Sequence, residues 1–116
     1  MCFIYIEGLG GGDNSGNALV LPNDTTWLFS ILVVARRTDA DNESAMYKLE
    51  GGIDNNANTV ALVGTVTKTV LAEDTVAWDV NVLANNTTKT LDIQVTGENA
   101  KTIRWVAVVN LVQVTG

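Results

Sequence analysis

The sequence predicts an all-β protein, an antiparallel, jelly-roll-like β-sandwich of about eight or nine strands. Three observations lead there. Val and Thr are the commonest residues of the chain and Pro occurs once, and β-branched side chains suit a pleated, half-buried surface. Short stretches alternate apolar and polar residues with the period of two that a strand requires. Between them lie clusters of Asn, Asp and Gly, which are turn formers. No segment spaces its apolar residues as a helix would.

Taken in order, "CFIYIEG" (2–8) alternates Phe3 and Tyr5 against Ile4 and Ile6 and reads as a short strand. "GLGGGDNSGN" (8–17) holds five glycines in ten residues and reads as a flexible connector. "ALVLP" (18–22) is a brief strand stopped by Pro22, "NDTT" (23–26) a turn, and "WLFSILVVARR" (27–37) a long strand. "TDADNES" (38–44) is a polar turn before the strand "AMYKLEG" (45–51), which "GIDNNAN" (52–58) is expected to break. "TVALVG" (59–64) and "TVTKTVL" (65–71) form two strands, or one with a bulge at Gly64. After "AED" (72–74), "TVAWDVNVLA" (75–84) turns Val76, Trp78, Val80 and Val82 inward. "NNTTK" (85–89) leads to "TLDIQVT" (90–96), and "GENAK" (97–101) to the closing strand. Residues 1–17 thus form an N-terminal strand and glycine-rich linker, and 18–116 the sandwich domain.

Composition excludes several classes of function. A chain of 116 residues has room for one domain. Its formal charge of −6 disfavours nucleic acid, whose binding rests on Lys and Arg neutralising phosphates. The one basic pair, Arg36-Arg37, points to opposite faces of a strand. The apolar runs fall short of the roughly 20 residues that span a bilayer, so no membrane insertion is expected. The N-terminus shows no basic stretch followed by an apolar one, the pattern of a secretory signal. With one cysteine and no histidine, there is no internal disulfide, His–Cys zinc site or Ser–His–Asp triad.

Two strands break the usual pattern of one wet and one dry face. In 27–37, Trp27, Phe29, Ile31, Val33 and Ala35 share one face, and Leu28, Ser30, Leu32, Val34 and Arg36 the other. In 103–114, Ile103, Trp105, Ala107, Val109 and Leu111 oppose Arg104, Val106, Val108, Asn110, Val112 and Val114. Burying a Val or Leu stabilises by about 1.5–3 kcal/mol, so five or six left in water forgo on the order of 10 kcal/mol. A second subunit is therefore expected to cover Leu28, Leu32, Val34, Val106, Val108 and Val112. The alternative is that segment 8–26 of the same chain lies over them.

Sites for chemistry are weak. Asp39, Asp41, Glu43 and Glu50 fall at positions 1, 3, 5 and 12 of a calcium loop, but Ser44 stands where its sharp-turn Gly belongs. A solvated acidic turn is the better reading. Glu73, Asp74, Asp79 and Glu98 are candidates for a glycosidase pair, with nothing in the sequence to set two of them across a cleft. No enzyme, cofactor or metal is expected. Trp27, Trp78 and Trp105 read as core, with a sugar-stacking platform as the competing role. Asn23, Asn42, Asn85 and Asn86 head Asn-x-Ser/Thr sequons in turns, which matter only in a cell that glycosylates secreted proteins.

"LPNDTTWLFSILVVARRTDADNESA", "VGTVTKTVLAEDTVAWDVNV" and "VTGENAKTIRWVAVVNLVQVTG" resemble the β-sandwich domain near the C-terminal end of bacteriophage tail-fibre and tailspike-like structural proteins. The most specific pieces are "TTW", "ARRTDA", "TKTVLAEDTVAWDV" and "IRWVA", and the resemblance covers roughly residues 19 to 116. It implies a structural domain without an active site, usually a homotrimer that closes or caps a fibre, on a virion or otherwise extracellular. Such domains sit behind a long shaft, whereas here one strand on a glycine tether precedes the sandwich. That departure fits a fragment of a longer protein, or a filament in which Phe3, Ile4, Tyr5 and Ile6 are donated to a neighbouring subunit; the plain alternative is that 2–7 pairs in its own sheet as an ordinary first strand. A carbohydrate-binding module, with a cell-surface glycan as partner, is the alternative from another class.

Overall fold

The computed structural model describes residues 2–9, 12–13, 18–40 and 42–116. Among them lie nine strands and no helix: β1 (Cys2–Leu9), β2 (Gly12–Asp13), β3 (Ala18–Val20), β4 (Thr25–Arg37), β5 (Ser44–Asn56), β6 (Thr59–Glu73), β7 (Asp79–Asn85), β8 (Thr90–Thr96) and β9 (Thr102–Thr115). They build two antiparallel sheets packed as a β-sandwich. The larger has the order β1-β9-β4-β5-β6. In the smaller, β7 pairs along all of β8, Asp79–Asn85 against Thr90–Thr96, while β2 and β3 pair with its two ends.

The core lies between the sheets. β4 alternates buried and exposed residues, sending Trp27, Phe29, Ile31, Val33 and Ala35 inward. β9 does the same with Ile103, Trp105, Ala107 and Val109. The smaller sheet answers with Val80, Leu91, Ile93 and Val95. Tyr47, Trp78 and Trp105 form the aromatic centre, the two outer rings 6.3 and 6.2 Å from that of Trp105. Each carries a polar tip that must find a partner when buried. Tyr47 donates its hydroxyl to Glu73 (2.6 Å) and Trp78 its indole N–H to Glu98 (2.9 Å).

Two stretches, 52–58 and 75–78, differ from the sequence expectation, and in a third, 59–71, the single bulged strand is the alternative that forms. First, 52–58 does not break the strand: β5 runs to Asn56, and Ala57 and Asn58, at φ of 49° and 64°, close a two-residue hairpin. Positive φ at both central positions is the type I′ geometry, whose twist matches that of paired strands. β5 passes close to its neighbours at Gly51: a Cβ there would stand 3.0 Å from Phe29 Cζ and 3.1 Å from Val66 Cγ2, tighter than ordinary contact. Second, 59–71 belongs to one strand, β6, with the register shifting against β5 between Glu50 and Gly52 and again between Met46 and Tyr47. Gly64, at φ 70°, lies in the first shift. Third, 75–78 is a turn: Trp78 N–H donates to Thr75 C=O at 3.2 Å. That closure carries Trp78 into the core and leaves Val76 89% exposed, the reverse of the inward position its alternation suggested.

The glycine-rich stretch also contributes pairing. Gly8 and Leu9 continue β1 opposite Ile103 and Thr102, and Gly12 and Asp13 pair with Thr96 and Val95. Residues 10–11 and 14–17 of the expected connector lie outside the described residues.

Candidate self-association surface

The outer face of the larger sheet is a ladder of cross-strand rungs. Directly paired residues share a face, so the rungs follow from the register. Thr26 pairs with Val114 and Asp54, Leu28 with Val112 and Gly52, and Ser30 with Asn110 and Glu50. Next come Leu32 with Val108 and Lys48, Val34 with Val106 and Met46, and Arg36 with Arg104 and Ser44. Apolar rungs therefore stand on both sides of one polar rung, and charge collects at the Arg36 end.

Most of this face remains in solvent. Leu28, Leu32, Val34 and Val112 are 57, 47, 46 and 64% exposed, while Val106 and Val108 are half-buried. Segment 18–26 does not cover them, because β3 pairs with β8 in the opposite sheet and Thr25 already belongs to β4. An open groove of about 300 Å³ runs along the upper rungs, lined by Leu32, Val34, Met46, Leu71, Val106 and Val108 together with backbone of β4 and β5. Met46 and Leu71 were not singled out in the sequence. Met46 could have been, since it alternates with buried Ala45 and Tyr47. Leu71 could not, because the register shift at Met46/Tyr47 sets its place. On β1, Phe3 and Tyr5 are registered against Val108 and Val106, whereas Ile4 and Ile6 are registered against Ala107 and Trp105.

Among the described residues, the carboxylates that might have formed a catalytic pair or a calcium loop are held elsewhere. Arg37 grips Asp39 at 2.7 Å and Glu43 at 2.9 Å, and Lys101 reaches Glu43 at 2.8 Å and Glu98 at 2.9 Å. Glu43 also accepts the Thr75 hydroxyl. The hydrogen bond from Arg37 lowers the Asp39 pKa to about 2; those from Lys101 and Thr75 lower that of Glu43 to about 2. Three loops are thereby clamped at one end of the sandwich. Asp74 accepts the Ser44 N–H at 2.8 Å. Partial burial pushes the Asp79 carboxyl up, but the Lys68 ammonium at 2.6 Å outweighs it and the pKa is lowered. Glu50 stands on the outer face 3.7 Å from Lys48, and Asp41 lies outside the described residues. Among the described residues no group of three or more His, Cys, Asp or Glu side chains is placed to hold a metal ion.

Trp27, Trp78 and Trp105 are all buried, so they offer no platform for a sugar ring. Three of the four sequon asparagines are engaged in turns. Asn23 Oδ1 accepts the N–H groups of Asp24 and Asn58, and Asn86 Oδ1 accepts that of Val60. Asn85 Oδ1 accepts Thr87 and Thr88 N–H, while its Nδ2, the atom a glycan would need, donates to Asp92 at 3.1 Å. Asn42 is exposed.

No protein-family model matches the chain, and no curated protein matches it. Among solved structures, the crystal structure of the Acinetobacter baumannii phage AM24 tailspike protein superposes with a TM-score of 0.52 at 8% identity. The superposition covers 95% of this chain and 26% of that one. At such low identity the likeness is one of fold: this chain resembles a portion of a phage tailspike in architecture.

Proposed function

We propose that the chain is a non-enzymatic structural module of a phage-type appendage, virion-borne or extracellular, that assembles with copies of itself through the outer face of its larger sheet. One observation carries this reading: an apolar ladder of Leu28, Leu32, Val34, Val106, Val108 and Val112 that no described part of the chain covers. Contiguous apolar patches of this kind mark association sites. The tailspike-like fold supports the same reading, and the aromatic burial removes the main support for a carbohydrate-binding module. The test is the solution mass of the purified chain beside a variant carrying Leu32→Ser, Val34→Ser, Val108→Ser and Val112→Ser. A discrete oligomer that the variant reduces to monomers is expected. An oligomer that survives all four substitutions would place the contact elsewhere.

Strand donation is a second reading, in which the ladder that β1 forms with β9 of its own chain would be exchanged for one with a neighbour. β1 lies at an edge of the larger sheet with β9 as its ladder partner. Removing residues 1–12 would collapse a filament built by donation and leave a face-to-face oligomer associated.

A further inference from the structure

β6 forms an edge of the larger sheet, and among the described residues it pairs with β5 alone. An edge strand presents a row of unpaired N–H and C=O groups on which another strand can build. β6 is well suited to that: it runs from Thr59 to Glu73, is rich in Val and Thr, and holds no proline. Three features along it close the row. Near its start, Asn86 Oδ1 accepts the Val60 N–H at 2.8 Å and so occupies that backbone donor. Register shifts against β5 between Glu50 and Gly52 and between Met46 and Tyr47 then distort the strand twice, with Gly64 at φ 70° in the first. Between the two shifts runs a regular stretch, 67–70 paired with 47–50. Neither a bulge nor a side-chain cap interrupts it. Lys68 stands there, and from Thr59 to Ala72 it is the one charged side chain.

Lys68 occupies a position where the fold would accept an apolar residue. It is registered against Leu49, while Leu62 and Val70 on the same row are registered against Ile53 and Tyr47, and all three of these β5 residues are buried. Leu62 and Val66 pack against the core. The lysine instead turns to β7, where its ammonium reaches Asp79 at 2.6 Å and Asn81 at 3.3 Å, on either side of buried Val80. The Lys68 and Asp79 side chains are 30 and 39% exposed, and an ion pair so open to water adds little to folding. Its consequence falls on the edge. A strand adding to β6 at this level would have to cover a hydrated ammonium, and burying a charge is costly. We propose that Lys68 guards the edge: its charge on an inward row keeps the central stretch of β6 from pairing with a strand of a second copy. This concerns the rim of the larger sheet and is independent of association through its outer face.

Lys68→Val, measured beside Lys68→Arg and the wild-type chain, tests this. In Lys68→Val the solution mass should rise above the wild-type value as concentration increases. Those amides of 67–70 that face away from β5 should at the same time gain protection from hydrogen exchange. Lys68→Arg keeps the charge and should match the wild type in both respects. The rise should persist when Lys68→Val is added to the chain carrying Leu32→Ser, Val34→Ser, Val108→Ser and Val112→Ser, which separates edge pairing from contact through the outer face. A Lys68→Val chain with the wild-type mass at every concentration would overturn the guard. So would extra mass without protection at 67–70, which puts the new contact elsewhere, or equal association by Lys68→Arg. Denaturation midpoints are read for each variant. A rise in mass that comes only with a lowered midpoint would also overturn it, because exposed unfolded chain, rather than a freed edge, would then be associating.

Discussion

The two faces of β4 differ in surroundings far more than in apolar content. Inward, Phe29, Ile31 and Val33 meet the smaller sheet and are essentially inaccessible to solvent; outward, Leu28, Leu32 and Val34 are about half exposed. Hydrophobic stabilisation depends on area removed from water, not on the residue itself. The inner row therefore stabilises the folded chain, while the outer row keeps about half of its surface in water.

The sharpest way to break that comparison is to truncate one residue on each side. Ile31→Ala should cost about 2–5 kcal/mol, transfer loss plus cavity, read as a lower midpoint in chemical denaturation. The outer pair Leu32→Ser with Val108→Ser should leave monomer stability within about 0.5 kcal/mol while abolishing the oligomer in a sedimentation experiment. An equal loss of stability from both would mean that the outer row is also core. Adjacent glycines repeat the contrast on a smaller scale. Gly51→Ala, with its methyl 3.0 Å from Phe29, should overpack the core and destabilise by about 1–3 kcal/mol. Gly52→Ala faces outward, 3.5 Å from Val63 Cβ, in ordinary contact. It should change monomer stability by less than about 1 kcal/mol, yet weaken association by crowding Leu28.

The smallest effect concerns acid. Asp39 and Glu43 have folded pKa values of about 2, below the ordinary 3.8 and 4.5. Groups with a depressed folded pKa contribute stability that is present above the unfolded value and lost as pH falls through the folded one. Unfolding midpoints should accordingly drop between about pH 4.5 and 2, and Glu43→Gln should flatten that slope. Exposed salt bridges are screened, so the change should shrink in high salt. An identical acid slope in Glu43→Gln would show that the clamp of Arg37, Lys101 and Thr75 does not couple to folding.

Much of this was determined by the sequence alone. Period-two alternation in 27–37 and 103–109 assigned strands and faces that the structure keeps, and the bulkier rows, with Trp27, Phe29 and Trp105, are the buried ones. In 90–96 it placed Leu91, Ile93 and Val95 inward correctly, but Asp92, expected to face water, is buried and accepts hydrogen bonds from Thr90 and Asn85. The turns at 38–44 and 85–89 were legible because Asn, Asp and Thr bond their own backbone, as Asn85 does with Thr87 and Thr88. Other features were decided only by the tertiary structure. Alternation alone does not distinguish Val76 from Trp78; the Thr75–Trp78 turn separated them. The run 52–58 looked like a break because Gly and Asn weaken strands in isolation, yet pairing with β4 and β6 carried β5 through it. Leu71 joined the outer groove because a register shift against β5 moved it there. The outer ladder itself combines both kinds of information. Its apolar rows are visible in the sequence, but the matching of Leu28 to Val112 and Ser30 to Asn110 is a pairing between residues some eighty positions apart. Local periodicity sets which residues share a face. Which strands lie side by side, and which face receives the second sheet, is settled by long-range contacts among all the strands at once.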